Sequence, residues 1–335
     1  MTFSAVIVNY EGGDLLTECV CSLYEQDESV EVIVVDNGSD DGSADTVARR
    51  FPAITLVRPF SNLGFAGGAN FGAARANGRV LLFLNPDVRA APGCLRALQR
   101  MFDDPAVGVG GPCICLVASH HFEYGGTIDL LGQPVMLEAP AEPLFVSGCA
   151  LATRKSVFEK LGGFDDRYFM FAEDMDLCWR AFVQGFDVRV ASDALVFHVG
   201  GAVTPGGYER DGRIESSSFR IWLRERNTLA TMIKCYGTRT VAIMVLAYLL
   251  QTLVTATALG LMGERRTARR LLQGLLWNAR ELRTTLALRR TVQTRRRTAD
   301  KHVYRRLYRG SRKVEYVLRR RLPVILDDGT AFDSQ

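Results

Sequence analysis

The sequence predicts an α/β domain on a largely parallel sheet, followed by a helical region of different character. Three observations predict it. Short apolar, β-branched runs alternate with helically spaced segments over residues 3–84, the pattern of successive strand–helix–strand units. Polar clusters end these runs at Asn9-Tyr10, Asp36-Asn37 and Asn85-Pro86-Asp87, where ligands bind in parallel sheets. Charge divides the chain: residues 264–323 hold 20 Lys and Arg against 4 Asp and Glu, a net of +16, which leaves residues 1–263 at −9.

Taken in order, Phe3 to Val8 reads as a first strand and Leu15 to Gln26 as a helix. Val30 to Val35 is a second strand, Ala44 to Phe51 a helix and Ile54 to Val57 a third strand. Asn62 to Asn70 is a glycine-rich turn leading into a helix that ends near Asn77, and Val80 to Leu84 is a fourth strand. Cys94 to Phe102 is helical, and residues 107–146 read as irregular strands and loops. Phe145 to Ala152 reads as a strand of small residues, and Ser156 to Leu161 as a short helix stopped by Gly162-Gly163. Val188 to Val190 and Ala194 to His198 are closing strands, Gly200 to Gly212 is a glycine-rich loop, and Phe219 to Tyr236 is a helix. The expected organisation is a domain over 1–236, with halves at 1–105 and 106–236. A membrane-associated helical region over 237–323 and an acidic flexible tail over 324–335 follow.

The hydrophobic content of 47% supports a sizeable core. Eight cysteines include no CxxC; Cys19/Cys21 and Cys113/Cys115 lie in apolar runs and read as buried, reduced thiols rather than a zinc site. The N-terminus has no basic segment and no cleavage site, and reads as a strand that begins at once. Thr240 to Gly263 carries no charge, long enough to cross a bilayer. A single crossing would separate the acidic globular domain from the +16 tail, which opposes that reading. The favoured expectation is a helix or hairpin lying in the cytoplasmic leaflet, with the basic helices on anionic headgroups. A helix buried in a dimer or domain core, and a true span, stay open. The tail's Leu, Trp and Tyr suit a membrane surface, and no nucleic-acid motif accompanies them.

The chemistry centres on Tyr168 to Arg180, where Glu173, Asp174 and Asp176 fall within four residues at a helix start. Acids there are ordinary, but a carboxylate after an apolar run is also a candidate general base. Asp36 follows the second strand and can accept from a base or ribose, or serve a turn. Asp87 can hold Mg2+ or Mn2+ against a diphosphate, or end a strand. His198, before Gly200-Gly201, is either structural or a metal ligand. The glycines of 64–68 let backbone approach a ligand closely; neither GxGxxG after the first strand nor GxxxxGK[ST] occurs.

In order, Val6-Ile-Val-Asn-Tyr10, Val34-Val-Asp-Asn-Gly-Ser-Asp-Asp-Gly-Ser43, Asn62-Leu-Gly-Phe-Ala-Gly-Gly-Ala-Asn70, Phe83-Leu-Asn-Pro-Asp87 and Phe171-Ala-Glu-Asp-Met-Asp-Leu-Cys-Trp-Arg180 form a specific set. It resembles the family-2 inverting glycosyltransferases of the GT-A fold, a nucleotide-binding α/β/α sandwich, over about residues 3–235. The rhamnosyltransferase-like branch of bacterial cell-surface polysaccharide synthesis is the nearest likeness.

The resemblance implies that Asn9, Tyr10, Asp36, Asn62, Gly67, Asn70 and Asn85 border the nucleotide. It implies that Asp87 and His198 hold the metal, with Asn85 replacing the first acid of an Asp-x-Asp motif. Glu173-Asp174 matches the acidic pair, with Asp174 as base and Glu173 beside it. The implied donor is a nucleotide-sugar, dTDP-L-rhamnose first, and the acceptor is lipid-linked or a polysaccharide. The implied location is the cytoplasmic face of the inner membrane, peripheral or monotopic; no nucleic-acid partner is expected and a homodimer is left open. The alternatives are an inactive scaffold or binding module on the same fold, and a sugar-nucleotide pyrophosphorylase. The second would want a basic phosphate loop after the first strand, and residues 9–16 hold no Lys or Arg.

Overall fold

The computed structural model describes residues 2–200, 209–210, 213–313, 315 and 324–326. The glycine-rich loop expected over 200–212 and the tail expected over 324–335 fall mostly outside the described residues. The chain forms two compact units, residues 1–127 with 136–203, and residues 128–135 with 204–335.

In the first unit the order is β1 (Phe3–Asn9), α1 (Gly13–Tyr24), β2 (Val30–Asp36), α2 (Ser43–Arg50), β3 (Thr55–Val57), α3 (Gly64–Ala73), β4 (Val80–Leu84), β5 (Val88–Ala90) and α4 (Cys94–Asp103). Then come β6 (Val107–Leu116), β7 (His121–Glu123), β8 (Gly126–Ile128), β9 (Pro134–Met136), β10 (Ala150–Arg154), α5 (Lys155–Leu161), α6 (Glu173–Val183) and β11 (Asp187–His198). A 3-10 turn, Asp166–Tyr168, precedes α6.

The sheet runs β3-β2-β1-β4-β10-β6-β11-β5, with β7 on β6. β1 is buried along its whole length and pairs in parallel with β2 and β4. A strand covered on both faces is nearly continuous in apolar residues, as Phe3 to Val8 is apart from Ser4, whose buried hydroxyl donates to Glu31 and accepts from Gly78 N. The expected α/β class therefore holds, but the sheet is mixed. β10 runs antiparallel to both β4 and β6, and β11 antiparallel to β5. This reversal serves the site: Ala150 lies opposite Leu84, so residues 148–149 arrive beside the end of β4. His198 lies opposite Val88, one residue past Asp87.

Local details differ from the sequence reading. The two closing strands are one, β11, with a register shift between Ala191 and Leu195. Phe145 makes only an isolated antiparallel bridge with Gly126, and the continuous strand is Ala150–Arg154. Helix α3 begins at Gly64, inside the expected turn, because its glycines bring it onto the sheet. A Cβ on Gly68 would lie 2.8 Å from Val8 Cγ1, and one on Gly72 would strike Val6 and Val35.

The second unit contains β12 (Glu209–Arg210), β13 (Arg213–Ser217), α7 (Ser218–Cys235), α8 (Thr238–Leu261), α9 (Arg265–Arg280), α10 (Leu282–Thr294), α11 (Asp300–Arg306) and β14 (Val324–Leu326). Helix α7 is nearly all buried. Its Glu225 is held by Lys313 at 2.8 Å and Tyr248 Oη at 2.7 Å. Burial works against the charged carboxylate, but Lys313 and Arg224 outweigh it and keep Glu225 below its usual pKa. Helix α8 turns Thr240, Tyr248, Thr252 and Ala256 inward. Its opposite face exposes Ile243, Leu246, Leu250, Leu253, Val254 and Leu261, which excludes burial in the core of this chain.

Helix α6 is anchored by a buried ion pair. Arg180 Nε donates to Asp176 Oδ2 at 2.6 Å, with the side chains 5% and 0% exposed. The same guanidinium donates to Leu161 O and Gly163 O at 2.8 and 2.9 Å. Removing one partner of such a pair costs about 3–5 kcal/mol, because the other charge is left buried. Arg180→Leu is therefore expected to lose stability of that order in urea unfolding. A loss below about 1 kcal/mol would remove the pair from this anchoring role.

Candidate active site

The site lies along the carboxyl edge of the first unit's sheet. Asn9 and Asp36 end adjacent strands in register, and Asn37 N donates to Asn9 O at 2.8 Å. Asn9 Nδ2 donates to Ser39 and Ser43, both at 3.1 Å, while its buried Oδ1 has no hydrogen-bond partner. Tyr10 is half-buried beside it. Asp36 Oδ2 accepts from Arg58 Nε at 3.0 Å. Asn37, which the sequence places in a polar cluster without a role of its own, organises the next segment: its Nδ2 donates to Asn62 Oδ1 and Gly64 O, and its Oδ1 accepts from Leu63 N. The four residues Asn9, Asp36, Asn37 and Asn62 thus form one connected wall.

Two residues of the expected nucleotide set face elsewhere. Gly67 lies within α3 against Leu63, where a Cβ would come within 2.8 Å. Asn70 also sits in α3 and spends its amide on protein groups. It donates to Phe164 O at 2.9 Å and to Asp166 Oδ1, and accepts from Phe164 N at 3.0 Å. Gly68 and Gly72 serve close approach of the helix to the sheet.

Asp87 and His198 come together. Asp87 Oδ1 is buried without a hydrogen-bond partner and lies 3.4 Å from His198 Nε2. Its Oδ2 accepts from Gly200 N at 3.1 Å. Burial works to lower the His198 pKa, but Cys149 and the Asp87 carboxylate raise it further, to about 11. An orphaned carboxylate oxygen facing an imidazole fits a divalent cation, which takes the place of the imidazole proton. Among the described residues no cluster of three or more His, Cys, Asp and Glu side chains is arranged for a metal. Asn85 is tied in through its backbone, where N donates to Cys149 O at 3.0 Å.

The acids lie at the head of α6. Phe169, Phe171 and Ala172 have φ of 64°, 67° and 64°, a left-handed conformation that costs non-glycine residues energy and concentrates at functional sites. This path delivers Asp174 to the turn before β10. Gly148 N donates to Asp174 Oδ2 and Met175 N to Oδ1, each at 2.7 Å. Asp174 keeps some surface open, although protein atoms crowd it elsewhere. Burial pushes its carboxyl up, and the Gly148 and Met175 N–H bonds only partly offset this. A Cβ on Gly148 would lie 3.3 Å from both Asp174 Cβ and Glu173 Oε1, so this glycine, missed in the sequence, makes room for both acids. Asp176 points away, into its pair with Arg180.

A crowded carboxylate, an Asp–His pair and a polar wall meet at the strand ends, the edge where α/β sheets bind ligands, and mark a candidate active site of the group-transferase class. Residues 4–162 match glycosyl transferase family 2. The N-acetylglucosaminyl-diphospho-decaprenol L-rhamnosyltransferase of Mycobacterium tuberculosis is 29% identical over 229 residues, covering 58% of this chain and 75% of that protein. A mannosyltransferase from Pyrobaculum calidifontis, solved with GDP-Man and Mn2+, superposes with TM-score 0.52 at 18% identity, over 88% of this chain and 85% of that one. GalNAc-T7, solved with UDP, GalNAc and Mn2+, gives TM-score 0.58 at 16% identity, over 72% of this chain and about half (49%) of that one. Residues 4–162 thus carry a glycosyl transferase family 2 domain, and the chain has the GT-A-like fold of a glycosyltransferase.

Proposed function

We propose that the enzyme transfers a sugar with inversion from a nucleotide-sugar, dTDP-L-rhamnose first among donors, to a lipid-linked acceptor of the polyprenyl-diphosphate-sugar class. The observation that carries this reading is Asp174, a desolvated carboxylate fixed by Gly148 N–H at the end of a strained loop. The choice of rhamnose and of this acceptor class rests on the relative named above.

Asp174 accepts the proton of the acceptor hydroxyl as that oxygen attacks the anomeric carbon. One base suffices, because a single in-line displacement forms no glycosyl-enzyme intermediate. Glu173 lies beside it, on the acceptor side. Asn9, Tyr10, Asp36, Asn62 and Asn85 hold the nucleotide. Asp87 and His198 would hold Mg2+ or Mn2+, which supplies Lewis-acid neutralisation of the departing diphosphate. Because burial raises Asp174, activity falls with acidification through a pKa above the ordinary 3.8.

The deciding experiment measures nucleoside-diphosphate release from dTDP-L-rhamnose, UDP-N-acetylglucosamine and GDP-mannose, with Mg2+ or Mn2+. Turnover of one donor, abolished by Asp174→Asn with nucleotide affinity kept, is expected. Retained turnover removes Asp174 as base, and neither turnover nor nucleotide binding by wild type removes the whole reading. Asp87→Ala and His198→Ala are each expected to weaken Mn2+ binding to the nucleotide-loaded enzyme, followed by electron paramagnetic resonance. Unchanged affinity in both variants contradicts the metal assignment.

The second unit is proposed to rest on the cytoplasmic face of the membrane, peripheral or monotopic. Helix α8 has mean hydropathy 1.9 with only 17% of its most apolar window buried. The neighbouring helices expose Arg265, Arg266, Arg269, Arg280 and Arg283. Bare leucines and arginines suit an interfacial helix on anionic lipid. The protein is expected to sediment with phosphatidylglycerol vesicles, and a Leu246→Glu, Leu250→Glu double variant to stay in solution. Equal sedimentation of both contradicts this placement.

A further inference from the structure

The base-bearing loop is held from outside its own helix. Helix α3 touches the segment before α6 at two levels. At its first turn, Ala66 N donates to Phe169 O at 3.0 Å. Gly64, with φ 66°, leaves space that a Cβ would lose to the Phe169 carbonyl and ring. Near its end, Asn70 grips Phe164 through both backbone groups and donates to Asp166. Gly163 lets this happen: at φ 72°, a Cβ there would lie 2.6 Å from Asn70 Oδ1. The two grips bracket the 3-10 turn Asp166–Tyr168. The left-handed residues follow, and then Asp174.

We propose that Asn70 is a positioning residue for the base, clamping the turn at 163–166 so that the strained connection delivers Asp174 to Gly148 N. This rests on the proposed role of Asp174 and deepens it. Left-handed residues tend to relax toward ordinary backbone unless their surroundings over-determine them. A side chain that satisfies both the N–H and the C=O of Phe164 fixes that residue as strand pairing would. The clamp also makes α3, the helix that starts at the Asn62 wall, one body with the acid loop. Donor binding at Asn62 and proton acceptance at Asp174 then share a rigid support, as precise alignment of reacting groups requires.

The test uses the full chain, dTDP-L-rhamnose or whichever panel donor the wild type turns over, and a synthetic N-acetylglucosaminyl-diphospho-polyprenol acceptor. Asn70→Ala is expected to lower kcat about 10- to 100-fold, with donor KM and nucleotide Kd changed less than about twofold. Asn70→Asp sets two carboxylates together and is expected to be worse. The double variant Asn70→Asp, Asp166→Asn restores a donor–acceptor pair and is expected to recover part of kcat. Thermal unfolding of each variant gives the folded fraction used for normalisation.

An unchanged kcat overturns the proposal. So does a rise in KM and Kd at constant kcat, which makes Asn70 a nucleotide ligand, or a loss that vanishes on normalisation. Asp174→Asn run in parallel separates the two claims: a dead Asp174→Asn beside an active Asn70→Ala sinks the clamp alone. A fully active Asp174→Asn sinks the base assignment and the clamp's purpose with it.

Discussion

A carboxylate that acts as base must be ionised where little water reaches it, and most of the first unit's architecture answers that requirement. Asp174 is crowded by protein, which raises its pKa. Two backbone N–H groups and the positive end of α6 compensate in part. Reaching that position forces three non-glycine residues into left-handed backbone within four positions. Such strain, about 1–3 kcal/mol per residue, persists only where neighbours leave no alternative. Tyr168 is fully buried just before it, the Asp176–Arg180 pair ties the helix to residues 161 and 163, and α3 grips the far side.

The direction of β10 is the second constraint. In a wholly parallel sheet every strand would need a crossover to return, and the turn before β10 would lie at the opposite edge. Running β10 antiparallel to β4 brings Gly148 and Cys149 next to Asn85. The same edge receives His198, because β11 pairs antiparallel with the short β5 that follows Asp87. The proposed base Asp174, the Asp87–His198 pair and the polar wall of Asn9, Asp36, Asn37 and Asn62 therefore share one sheet edge without any long excursion of the chain.

Much of this was legible in the sequence, and the reasons differ by residue. Strand β4 is an unbroken apolar run, and β1 and β2 are interrupted only by Ser4 and Glu31, so their ends, and the polar residues Asn9, Asp36 and Asn85 at those ends, follow from local pattern. Glu173 and Asp174 stood out as acids after an apolar run. What local pattern cannot show is which partner a residue meets across the fold. The glycines of 64–68 read as room for a ligand, yet Gly68 presses against Val8, as Gly72 one turn on presses against Val6 and Val35. Asn70 and Phe164, and Gly148 and Asp174, are 94 and 26 residues apart, and no spacing rule links them. The merging of two short strands into β11 was hidden for the same reason: its register shift depends on β6.

The central claim is a single displacement at the anomeric carbon with one carboxylate as base. The most direct measurement is the anomeric configuration of the transferred sugar, read from the one-bond carbon–proton coupling of the product formed from a donor of known configuration. Inversion is the predicted result. Retention of configuration would require a second nucleophile or attack on the leaving-group face, and would contradict the account.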